Sequence, residues 1–272
     1  MRFSSTQRGS KKNAAMPLAA HLVELRNRVV KSVIALLAGA VAGWFLYDPV
    51  LLLLQQPIIN ITENSERIAE LNYAGVTSPF DLKVKISLFI GVFISSPVWL
   101  YQLWAFVVPG LTAREKRYSL SFIGAAVPLF LAGAGVAMFA MPNAVRALTS
   151  FTPENAVNII PAADYLSFVM LITVVFGAAF VLPVLLVGLN FVGVLSAAMI
   201  RKSWRWIVVL IFVFAAIATP SPDAISMFFL VIPMALLFFC AWGICALHDR
   251  RVRRRMIAEG TWVDPAELDD DD

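Results

Sequence analysis

A helical membrane protein of six spans, with kinked spans forming a curved, concave bundle and both termini cytoplasmic, is the fold this sequence predicts. Three observations carry the prediction. Hydrophobic residues make up 60% of the 272 positions and charged residues only 15%, against roughly a quarter in soluble domains. The mean hydropathy is +0.78. The apolar residues gather in six long, continuous runs. A soluble globule of this length would need a polar coat that these residues cannot supply, and a disordered chain or a collagen-like fibre is excluded on the same grounds. An outer-membrane barrel is excluded because its strands alternate over about ten residues.

A crossing helix needs about 20 apolar residues. Residues 1–20 are polar and basic, with Arg2, Arg8, Lys11 and Lys12, and form an N-terminal tail. A membrane domain then runs over 21–247. Its first span covers about 29–47; it starts late and is followed by no clean small-residue cleavage site, so it is expected to be retained. Residues 48–85 form a long first outer loop. The second span covers 86–104 and the third 118–141. A second outer loop, rich in Pro and Asn, occupies 142–164. The fourth span covers 166–194. The fifth, 204–218, is short: fifteen residues rise about 22 Å, below the roughly 30 Å hydrocarbon core. Either its flanking Trp204 and Arg205 snorkel, or the bilayer thins around it. A tight outer turn, 219–223, leads to the sixth span, 224–247. Residues 248–272 form a tail, basic first and ending in four aspartates, expected to be solvated.

The sidedness follows from Lys and Arg, which favour the cytoplasmic face. Seven lie in 1–31, three in 105–117, three in 195–205 and five between Arg250 and Arg255. The opposite segments hold only Arg67, Lys83, Lys85 and Arg146. An even number of spans with this bias places both termini in the cytoplasm. The net charge of +4 therefore reports orientation, and no nucleic-acid partner is expected.

Pro97, Pro128, Pro183 and Pro233 fall within spans two, three, four and six. Each removes a helical hydrogen bond, giving either ordinary kinks or a deliberately curved wall around a concave face. Cys240 and Cys245, five apart in one apolar run, read as packing residues rather than a redox pair. His21 and His248 lie outside the apolar runs, which disfavours a buried metal or catalytic centre, and no metal or other cofactor is expected.

Acidic residues are informative because they are scarce. Glu24 stands just before span one, and at helical spacing it shares a face with His21 and Arg28. It is either half of an interfacial Glu24–Arg28 pair or a binding carboxylate. Glu115 sits among Arg114, Lys116 and Arg117. The positive-inside pattern explains the cations but not the carboxylate, whose plainest role is a weak surface salt bridge. Asp164 and Asp223 precede spans four and six, where a helix N-cap is the simplest role. The spans hold no obvious midplane charge, which argues against a proton-coupled solute transporter and against an intramembrane protease. No GxxxxGK[ST] phosphate loop is present. An enzymatic role is not expected.

Taken together, several segments resemble the TatC family, the multispanning core of the twin-arginine protein translocase. They are HLVELRNRV (21–29), SPFDLKVKISLFIGVFISSPVWLYQLWAFVVPGL (78–111), DYLSFVM (164–170), FGAAFVLPV (176–184) and TPSPD with the following IPM (219–223 and 232–234). The resemblance covers about residues 17–247. It implies a protein of the prokaryotic cytoplasmic membrane that binds twin-arginine signal peptides of folded cargo. It also implies a homo-oligomeric receptor complex in the lipid membrane, scaffolding small single-span TatA/TatB-type subunits, with export driven by the proton-motive force.

Residue by residue, the resemblance places signal recognition at Glu24 and Glu115, with Arg26 and Phe106 beside them. Pro57 and the Ser78-Pro79-Phe80 segment match a conformationally important first outer loop, and Asp223 an acidic residue at the outer end of spans five and six. A guanidinium is a rigid fork that pairs bidentately with a carboxylate, whereas lysine is a point charge. Two carboxylates could thus read two adjacent arginines. Two positions depart from the family pattern. Val181 stands where a glutamate is common, and Met227 where a glutamine is common. Both belong to the expected partner-helix contact, so a partner with a differently placed polar residue is implied.

Overall fold

The computed structural model describes residues 18–64, 69–73, 75–107, 115–149, 158–218 and 224–260. The first helix, α1, spans Leu18–Phe45. After a one-residue break come α2 (Tyr47–Asn64) and the short strand β1 (Ala69–Asn72). Helices α3 (Ser78–Ile94) and α4 (Ser96–Val107) follow, then α5 (Glu115–Thr149) and strand β2 (Asn158–Pro161). The chain ends with α6 (Ala162–Phe191), α7 (Ala197–Lys202), α8 (Trp204–Ala218) and α9 (Ala224–Ala258).

Four of these, α1, α5, α6 and α9, are each long and apolar enough to cross a membrane. Helices α3 and α4 reach that length and hydropathy only as a pair, bent by 61° at the break between them. With the short apolar α8 they make six apolar helical segments among the described residues. The bend has a local cause. Pro97 has no N–H to continue the helical ladder, and the chain restarts at Ser96, with Val98 and Trp99 both donating to the Ser95 carbonyl. The Trp99 indole reaches back across the break to the Val92 carbonyl at 3.0 Å, satisfying a group the break would otherwise strand. The helical assignment runs unbroken through Pro128, Pro183 and Pro233.

Helix α6 is the hub. It contributes to all three apolar clusters: Tyr165, Leu166 and Val169 pack with α2, α3 and α5; Val181 packs with α4 and α5; Phe176, Ala179 and Phe180 pack with α5, α8 and α9. A helix that is apolar all round belongs in the interior of a bundle. Helix α1 is the opposite case. Val33, Ile34, Leu37 and Val41 are exposed, and α1 docks on α3 through glycines. A Cβ on Gly39 would lie 2.9 Å from the Gly91 carbonyl oxygen, and one on Gly43 would lie 2.5 Å from that of Ser87. Gly39 and Gly43 form a GxxxG pair, the spacing that lets two membrane helices meet backbone to backbone.

The structure departs from the sequence reading in several places. Residues 48–85 are not a loop. Helix α2 fills their first half, with Leu54 and Ile58 buried in the cluster shared with α6. Two four-residue strands interrupt the all-helical expectation. β1 and β2 pair in parallel, Ala69 opposite Asn158 and Asn72 opposite Pro161, and Leu71 and Ile160 pack onto the same cluster. The second apolar helix starts at Ser78 rather than 86, so Lys83 and Lys85 are helical, and Lys83 Nζ lies 4.7 Å from the Trp44 ring centroid and 5.2 Å from that of Tyr47. Helix α5 runs to Thr149, eight residues past the expected span. Helix α9 carries the basic run Arg250–Arg255 in its last turns, which are therefore not an extended tail. Asp164 is not an N-cap. Pro161 holds that position and Asp164 lies in the first turn of α6, where a carboxylate still complements the helix dipole. Cys245 is buried as expected, but Cys240 is exposed.

Candidate functional site

The N-terminal half of α1 and the whole of α4 converge at one end of the bundle, and the expected recognition residues meet there. On α1, His21, Glu24 and Arg28 follow one another at helical spacing and share a face. Arg28 donates to Glu24 Oε1 from Nε at 3.0 Å and also from Nη2. Its remaining terminal nitrogen, Nη1, reaches Gln102 Oε1 on α4 at 3.4 Å. Seven residues before Arg28, the His21 ring stacks on Phe106 of α4, with centroids 4.5 Å apart and planes 16° from parallel. The Ser32 hydroxyl donates to the Arg28 carbonyl at 3.0 Å. The result is a charged and aromatic joint between two helices.

Below this joint a groove of about 320 Å³ opens between α1 and α4. Leu25, Val29, Val33 and Leu36 line one wall; Trp99 and Leu103 line the other; Arg28, Gln102 and Phe106 stand at its polar margin. The bend before α4 leaves Trp99 on this wall. A carboxylate beside an apolar groove suits an extended ligand that carries a cation next to a hydrophobic stretch.

The other expected residues lie elsewhere. Arg26 is exposed and off the Glu24 face. Glu115 is the first residue of α5, and its side chain lies outside the described residues, as do residues 108–114. Pro57 is buried within α2. Ser78, Pro79 and Phe80 open α3, with Pro79 in the first turn, where its missing N–H costs nothing. Phe80 meets Trp44 edge to face at 6.3 Å. This group sits at the far end of α1, about 35 Å from His21 at 1.5 Å per residue. Asp223 lies outside the described residues. Val181 is only 2% exposed, covered by Leu100, Trp104 and Phe130, and Met227 is half-buried against the α8–α9 cluster.

Two features escaped the sequence reading. Gln102, the α4 partner of Arg28, is one. The other is a polar clasp at the end of α6. Asn190 is 3% exposed. Its Nδ2 donates to the Leu195 carbonyl and to Asp249 Oδ1, both at 2.8 Å, and its Oδ1 meets His248 Nδ1 at 3.2 Å. Asp249 Oδ2 accepts from the Ala197 N–H at 2.7 Å, so one carboxylate ties α9 to both α6 and α7. Asn190 alone in an apolar run, and Asp249 alone before a basic run, were the available signals. Among the described residues, no group of three His, Cys, Asp or Glu is placed to hold a metal ion.

The profile of the family described as "Sec-independent protein translocase protein (TatC)" matches residues 20–233. A TatC protein of Xylanimonas cellulosilytica is 48% identical over 240 residues, 88% of this chain and 87% of that protein. One from Rothia mucilaginosa is 41% identical over 256 residues, 94% and 87% of the two chains. A crystal structure of the twin-arginine translocase receptor TatC superposes with a TM-score of 0.68 at 33% identity, covering 83% of this chain and 99% of that one. The match spans the α1–α4 joint, the bent crossing and the α6 hub alike, and the chain belongs to the TatC family of Sec-independent protein translocase components.

Proposed function

We propose that this translocase component reads the twin-arginine signal peptides of folded cargo at the α1–α4 joint. It binds and scaffolds, with no catalytic step. The observation that supports this best is the Glu24–Arg28 pair, whose arginine stands at the margin of an apolar groove. A signal peptide carries adjacent guanidinium groups followed by a hydrophobic stretch, and the two halves of this site match those two chemistries. Glu115, at the start of α5, supplies the second carboxylate. Phe106, stacked on His21, stands at the margin of the groove. Arg26 is exposed on α1 away from the Glu24 face, so the carboxylate account does not draw on it. Both termini lie in the cytoplasm, so the joint opens towards newly made cargo.

Small single-span TatA/TatB-type subunits and further copies of this chain complete the complex in the cytoplasmic membrane. The partner helix meets α6 at exposed Ala178 and Leu182 rather than at the Val181 side chain, which α4 and α5 cover. Cross-linking that placed the partner far from both Val181 and Met227 would overturn that placement.

The test is binding of an Arg-Arg signal peptide and its Lys-Lys twin to the purified chain in detergent. A strong preference for Arg-Arg, lost in Glu115→Ala and in Glu24→Gln, is the expected result. Glutamine keeps the size and removes the charge, so normal binding by both Glu24→Gln and Glu115→Gln would refute the carboxylate–guanidinium account.

A further inference from the structure

We propose that Arg28 is an internal surrogate for the incoming arginine, and that an arriving signal must displace it from Glu24. The inference rests on the signal-reading function above. Glu24 is not an open carboxylate: Arg28, one turn along the same helix, donates to its Oε1 from two nitrogens. That is the chemistry a peptide guanidinium would offer. Both side chains are only 23% exposed, so water screens the pair less than it would a fully exposed one. A second acceptor is already within reach, because Gln102 Oε1 lies 3.4 Å from Arg28 Nη1, at the long end of hydrogen-bond range.

The exchange is then a swap of acceptors. The ligand guanidinium takes Glu24, and Arg28 turns fully onto Gln102. No polar group is left without a partner, a loss that would be costly at a partly covered site. Arg28 nevertheless stays beside the newcomer as a like charge, so it raises the threshold for every ligand. The threshold falls unequally. A peptide guanidinium reproduces the multiple donation that Arg28 gives up, whereas a lysine ammonium offers no fork. Discrimination therefore arises partly from what the ligand must evict, in addition to what it contacts. The swap also moves a bond from within α1 to between α1 and α4, so an occupied site holds those helices together more tightly than a vacant one.

Binding of Arg-Arg and Lys-Lys peptides to the detergent-purified full chain tests this, using Arg28→Gln, Gln102→Leu, the double variant and Glu24→Ala. Arg28→Gln is expected to tighten the Arg-Arg peptide roughly fivefold, the scale of one partly screened ion pair. It should tighten Lys-Lys by more, so that the preference between them narrows. Gln102→Leu, which leaves the Glu24–Arg28 pair in place, should weaken Arg-Arg binding by removing the seat for the displaced Arg28. In the Arg28→Gln background the same Gln102→Leu change should have no effect. Arg28→Gln that binds both peptides equally well as, or more weakly than, the unaltered chain overturns the surrogate role if Glu24→Ala still abolishes binding. Gln102→Leu weakening binding equally in both backgrounds overturns it too. Binding that survives Glu24→Ala instead removes the signal-reading function itself.

Discussion

Replacing Gly43 by valine strikes the seam between α1 and α3 at its tightest point. A Cβ there would sit 2.5 Å from the Ser87 carbonyl oxygen and 3.0 Å from Ile90 Cβ, where ordinary contact begins at 3.4 Å. The obstructing oxygen belongs to the backbone of α3 and cannot rotate aside. The two helices must part by about 1 Å to restore van der Waals separation. Overpacking of this kind costs about 1–3 kcal/mol, which for a chain of this size lowers the melting temperature by roughly 2–12 °C. The same shift acts at the site. Arg28 Nη1 and Gln102 Oε1 are already 3.4 Å apart, and moving α1 outward by that amount takes them beyond hydrogen-bond range. The assay is thermal unfolding of the detergent-solubilised protein together with Arg-Arg peptide binding. Gly135→Val is the control, since nothing lies within 4 Å of a Cβ at that position. A Gly43→Val protein that melts and binds like the unaltered chain, or a Gly135→Val protein that is equally damaged, would refute the argument from close approach.

Asn190→Leu should destabilise the protein by about 2–4 kcal/mol, the loss of two ordinary hydrogen bonds and one to a carboxylate, reduced because Asp249 is partly exposed; limited proteolysis would show α7 released from α9, and an unchanged digestion pattern would count against the clasp. Lengthening α8 by four leucines adds about 6 Å to a helix of fifteen residues; if a thin membrane around it matters for passage, cargo export stops while peptide binding persists, and normal export would defeat the idea. Lys83→Met removes a cation held by Trp44 and Tyr47 and should cost about 0.5–1 kcal/mol, read as a small fall in melting temperature that a Lys83→Arg change largely spares.

The centres of the apolar helices were readable from the sequence because each is an uninterrupted hydrophobic run. Their ends were not. At Leu18–Arg28 polar and apolar residues mix, and at Arg250–Ala258 the helix continues on charged residues, so hydropathy alone stops short. Helix α2 was hidden by Pro49, Pro57 and Asn60, residues that usually punctuate, although Leu54 and Ile58 carry the helical spacing that buries them. The Gly39–Gly43 pair was in plain view as a short motif, but its partner surface on Ser87 and Gly91 exists only once α3 is placed. The site divides the same way. The Glu24–Arg28 pair follows from a spacing of four residues. Gln102 lies 74 positions away, and no local rule connects it to Arg28. Nor could burial of Val181 be inferred, because it depends on the bend that brings Leu100 and Trp104 against α6.

The parallel pairing of β1 with β2 bears on how the protein is made. Ala69 and Asn158 are register partners, and everything from α3 to α5 lies between them. Two strands of four residues are too short to hold by themselves, and a contact of such long range closes late. The pairing can therefore form only after the intervening helices have been inserted and have delivered both strands to the same face of the membrane. A chain whose bent crossing or α5 entered in the wrong sense would leave β1 and β2 on opposite faces, permanently unpaired. Weakening the sheet should therefore slow maturation and lengthen the window for proteolytic clearance while leaving the finished protein's affinity for its ligand unchanged.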